Sequence, residues 1–149
     1  MNFLDVMPPA PDATWLTTVA RVMEDVAYAI NMGPLRSAPT ARATVTMLIF
    51  TSTRTQGPSI VHVFVGVRPE PHRDLIAIAR ADVDGCVASV RFTGATHPCD
   101  EGVSARTERE LRDALLHGLD TPPVRDRIQA IARAAIAFER RLDSPRSTE

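Results

Sequence analysis

The chain has 149 residues, 44% of them hydrophobic, and a formal net charge of −1 at neutral pH. That length buries roughly 68–70% of the unfolded surface without any covalent staple, and the near-neutral balance lacks the basic excess of a nucleic-acid-binding domain. No apolar run approaches the roughly 18 residues of a membrane span, and two cysteines, Cys86 and Cys99, form neither a disulfide framework nor a paired metal motif. The expectation is a cytoplasmic protein with no cofactor, no metal, no membrane and no nucleic acid among its partners.

All seventeen basic residues are arginine. The lysine-free composition fits coding bias, and it has a physical consequence, because the planar guanidinium suits two-pronged contacts with carboxylates or phosphates.

In chain order, residues 1–11 read as an N-terminal arm, with Phe3, Leu4, Val6 and Met7 ahead of the Pro8-Pro9-Ala10-Pro11 run that sets an extended backbone. A helix is expected from about Asp12 to Asn31, stopped by Gly33-Pro34. It carries two apolar stripes, Trp15, Val19, Val22, Val26 and Leu16, Ala20, Met23, Ala27, Ile30, which demand a broad buried face.

Four strands are expected next. Arg42 to Thr51 alternates Ala43, Val45, Met47, Ile49 with Thr44, Thr46, Leu48, Phe50. Ser52 to Pro58 breaks the pattern as a loop, and Ser59 to Arg68 is apolar on both parities, as a central strand is. Arg73 to Val83 fits strand or helix spacing; the strand is preferred because Asp84-Gly85 between apolar runs is a two-residue hairpin turn. That turn would set Val83 opposite Cys86 and Ala81 opposite Ala88.

Thr93 to Val103 reads as irregular. Thr107-Glu108-Arg109-Glu110 matches a capping box for a second helix ending at His117, with Gly118 as its stop. Thr121 and Pro122 open a third helix, to about Leu142. Its Val124, Ile128, Ile131, Ala135, Phe138, Leu142 spacing is that of a helix-pair seam, to be met by a neighbouring helix or a second copy. Residues 143–149 read as a tail. The fold class is therefore a single α+β domain over 12–142, a four-stranded antiparallel meander flanked by one N-terminal and two C-terminal helices.

Candidate chemistry is sparse. His97-Pro98-Cys99-Asp100 places a thiol beside a histidine and a carboxylate, which suits a nucleophile or part of a metal site, but no second cluster adds ligands. His62 sits mid-strand, where a satisfied core histidine is the commoner occupant. Arg80 and Arg91 would share a sheet face and offer an anion contact.

Apolar side chains on both sheet faces outnumber what three helices cover. The expected interaction surface comprises Leu48, Phe50, Phe64, Ile76 and Ile78 on the second face, with Ile128, Ile131 and Phe138 on the seamed helix. The expected function is contact with another protein chain, as an adaptor, chaperone or assembly component forming a homodimer. The rival is a small-ligand protein or enzyme with a pocket between sheet and helices, using His62 or the His97 to Cys99 loop. In size, mild acidity and helix–sheet–helix layout the chain is similar to small bacterial secretion chaperones, a likeness that would place a helix at Arg73 to Val83.

Overall fold

The computed structural model describes residues 13–50, 60–69, 75–93 and 102–143. Helix α1 spans Ala13–Met32; strands β1 to β5 span Ala41–Phe50, Ile60–Pro69, Ile76–Asp84, Val87–Phe92 and Val103–Ala105; helices α2 and α3 span Glu108–Leu119 and Pro122–Asp143. The sheet order β1-β2-β3-β4-β5 is a fully antiparallel meander. This is the α+β layout expected, with a short fifth strand added at one edge.

One face of the sheet carries the core. Val61, Val63, Val65 and Val67 of β2, Ala79, Ala81 and Val83 of β3, and Ala88 and Val90 of β4 are buried against Val19, Val22, Met23 and Val26 of α1, Leu111 and Leu115 of α2, and Val124 and Ile128 of α3. Helix α1 packs over β1 and β2, and α2 over β4 and β5. Both faces of β2 are apolar, yet the helices take only the odd-numbered one.

The β3 segment is a strand, so the sheet is not interrupted by a helix as the chaperone likeness would have it. It holds an irregularity that alternation does not show. Val65 faces Ala79, but Gly66 faces Ala77 and Val67 faces Ile76, leaving Ile78 as an extra residue in a β-bulge. A bulge puts one extra residue into a strand and shifts every later side chain to the other face. Ile76 and Ile78, expected on the second face, therefore turn to the helix side. Ile78 is fully buried and Ile76 packs against the core.

The β3–β4 hairpin turns one residue later than expected. Asp84 pairs with Val87, Val83 with Ala88 and Ala81 with Val90, so the two loop residues are Gly85 and Cys86. Gly85 has φ of +61°, and this slide gives the first loop position to the one residue that takes a left-handed conformation without strain. The slide is even, so the faces of β4 stay as expected.

Thr107 caps α2 with its side-chain oxygen accepting from the Glu110 N–H at 3.1 Å. The helix does not stop at Gly118 but runs through it to Leu119, with Asp120 as C-cap. Gly118 is buried and serves close approach instead: a Cβ there would overlap the Cε2 and Cζ atoms of the Phe92 ring. Helix α3 lays Ile128 and Ile131 into the chain's own core, so these two do not form an outward interaction surface. The spacing of a seam is the same whether its partner is a second copy or the chain's own helices and sheet.

At its far end α3 is tied to the α1–β1 linker. Glu139 Oε1 accepts from the Thr40 hydroxyl at 2.5 Å and from the Thr40 N–H at 2.9 Å. These two donors hold the Glu139 carboxyl below its ordinary value. A lowered folded-state value means a contribution complete above the unfolded value and lost as pH falls through the folded one. The urea midpoint is expected to fall on acidification, and Glu139→Gln is expected to make that fall shallower. Equal acid slopes in the two proteins would refute the link.

Candidate interaction surface

The side of the sheet opposite the helices is built from the even-numbered residues of β1 and β2, from Arg80, Asp82 and Asp84 of β3 beyond the bulge, and from the odd-numbered residues of β4. Registers place Leu48, His62, Asp82 and Ser89 in one row across four strands, and Thr46, Phe64, Arg80 and Arg91 in the next. Arg42 and Arg68 pair at the end of β1 and β2. Phe50 holds a register position on this face opposite Ile60, its side chain lying outside the described residues. No described helix covers this side.

A charged cluster lies at its centre. His62 Nδ1 is 2.5 Å from Asp82 Oδ1, and Arg80 Nε is 2.9 Å from the same oxygen. The Arg80 N–H does not aim at that oxygen, so their contact is one of charge and not a directed hydrogen bond. The His62 ring stacks on Phe64 with centroids 6.2 Å apart and planes at 27°. All three polar side chains are partly buried, at 20%, 18% and 34% exposure for His62, Asp82 and Arg80, so they pack as a layer and do not project singly.

Around that cluster the face is apolar and basic. Leu48 is 45% exposed, and Leu75 lies over Gly66, where a Cβ would come within 2.8 Å of its Cγ. Arg80 faces Arg91 directly across β3 and β4, and only Arg80 has Asp82 beside it. Like charges directly opposite one another on a sheet are mutually unfavourable, and an anion seated between the two guanidiniums relieves that repulsion. The sequence expectation of a shared Arg80 and Arg91 face thus holds in register, with Arg42 and Arg68 as further members that periodicity alone had not singled out.

The remaining expected residues fall elsewhere. Ile78, Ile128 and Ile131 are core, and Phe138 is half-buried on α3. His62 faces away from the helices, in the open-face row with Leu48 and Asp82. His97, Cys99 and Asp100 lie outside the described residues. Among the described residues no group of three or more histidine, cysteine, aspartate or glutamate side chains is placed to hold a metal ion, and no helix is long and apolar enough to cross a membrane.

A second, smaller feature lies between α1 and α2. Val22, Val26, Ala29 and Leu116 line a shallow hollow bridged by Arg112 and Asp25, 2.8 Å apart. Arg112 and Arg21 also reach Glu108, at 3.2 and 2.6 Å, and their hydrogen bonds hold its carboxyl below the ordinary value. This network is solvent-exposed and braces the two helices more than it offers chemistry. Neither a family model, a curated protein nor a solved structure matches this chain.

Proposed function

We propose that this protein works by contact with another polypeptide, engaging on the open face of its sheet an apolar segment flanked by acidic residues. The observation that carries this reading is the asymmetry of the sheet. Three helices bury one face, while the other displays Leu48 and Phe64 among Arg42, Arg68, Arg80 and Arg91, with Asp82 and Asp84 as the counter-charges of its strands. Apolar surface interleaved with arginine is the composition of a contact face, where aromatic and arginine anchors dominate binding. The guanidiniums select for carboxylates on the partner.

Fluorescence anisotropy with labelled peptides tests it. A peptide alternating leucine or phenylalanine with glutamate is expected to bind, more weakly as salt rises, and its lysine-substituted counterpart is not. Arg91→Glu, which reverses the charge of an exposed side chain, is expected to weaken binding about tenfold. Tight binding of a single-stranded oligonucleotide with no response to either peptide would overturn the reading.

A further inference from the structure

The two edges of the sheet are treated differently. The β5 edge is three residues long, Val103–Ala105, too short to template another strand. The β1 edge is ten residues long, Ala41–Phe50, and among the described residues only its first part is guarded. Ala41 N–H donates to Ala38 O at 3.0 Å. The Asn31 side chain then acts as a piece of strand, accepting from Ala43 N–H at 2.7 Å and donating to Ala43 O at 3.0 Å.

Those bonds reveal where β1 points. In an antiparallel ladder a residue's N–H and C=O share one side and alternate along the strand. Because Ala43 turns both groups away from β2, Val45 and Met47 do so as well. No described residue bonds the outward groups of either. From Ala43 to Phe50 the strand has no charge, no proline and no glycine, so it lacks the devices by which natural edges refuse partners.

We infer that the unguarded part of β1 pairs antiparallel with β1 of a second copy of this chain, joining two sheets into one across a twofold axis. This rests on the polypeptide-contact reading and names one partner for it. A second copy is the occupant because the segment is self-complementary. With the axis at Met47, Met47 faces Met47 of the second copy and Val45 faces Ile49 of the second copy, and every cross-strand neighbour from Thr44 to Phe50 is uncharged. Pairing β1 with the β5 edge of another copy would instead run on without closure and use a three-residue strand. Met47 and Leu48, 46% and 45% exposed on opposite faces, both lie along this edge and lose solvent on pairing. A twofold normal to the sheet keeps both open faces on one side, doubling the surface offered to a ligand.

The test is sedimentation equilibrium of the whole chain over a wide concentration range, with Met47→Lys and Met47→Pro. The proline removes only an N–H that has no partner inside the described chain, which an edge strand tolerates, and the lysine sets like charges opposite each other at the axis. Wild type is expected to dimerise, and each variant to dimerise about tenfold or more weakly, with a melting curve unchanged from wild type at dilutions where all three are monomeric. Should the proline variant fold poorly, Met47→Lys, on an exposed side chain, carries the test alone. A wild type that stays monomeric, or a dimer that both variants leave intact, overturns the pairing. Peptide binding by monomeric Met47→Lys separates the two readings: retained binding with no dimer in any protein refutes the pairing only, and lost binding in a dimeric wild type refutes the open-face reading only.

Discussion

Gly118→Ala is expected to lower stability by about 1–3 kcal/mol, the range for overpacking a filled core. The sign is what makes this informative, since alanine in place of glycine within a helix ordinarily gains about 1 kcal/mol. Here the added methyl group would occupy the space of the Phe92 ring, which lies against the glycine at the join of α2 and β4. Thermal melting should show a fall of about 2–4 °C for each kcal/mol lost in a chain of this size. Coupling the change with Phe92→Leu, which shortens the intruding ring, is expected to recover much of the loss. A single variant melting above the wild type would mean that ring and helix do not meet.

Ile78→Ala is expected to cost about 2–5 kcal/mol, as truncation of a fully buried branched side chain does. Leu48→Ala, on the open face, is expected to stay within about 0.5 kcal/mol. The comparison reads the β-bulge directly, because simple alternation would have put Ile78 and Leu48 on the same face. Chemical denaturation of the two variants decides it, and equal losses would place both side chains in one environment.

Much of the architecture was legible because it rests on features that repeat. Five turns of apolar periodicity in α1, the alternation of β1 and β2, and the capping box at Thr107 each state one structure several times over. What escaped notice was stated once or ambiguously. Ile76-Ala77-Ile78-Ala79 is apolar on both parities, so a one-residue slip leaves no mark in its pattern. Val103-Ser104-Ala105 is too short for any period to register. Gly118 near a helix end has the look of a terminator, and only the ring of Phe92, distant in sequence, reveals that it makes room for a neighbour.

The candidate surface followed the same division. Leu48, Phe64, Arg80 and Arg91 came to one side because the strand registers keep their parity, as the alternation implied. Ile128 and Ile131 did not stay outside, since a seam spacing says that a helix will be met and not by whom. The outward-pointing backbone groups of Val45 and Met47 had no sequence signal, because backbone polarity is the same for every residue and only the Asn31 contact shows its direction.

The nearest-neighbour order of the strands also bears on how the molecule assembles. Each strand finds its ladder partner in the adjoining stretch of chain, so loop closure costs little entropy and the sheet can grow hairpin by hairpin. The clasp of Thr40 with Glu139 spans most of the polypeptide and is therefore among the last bonds to close. Amide exchange should accordingly open the end of α3 first and the central valine strand last.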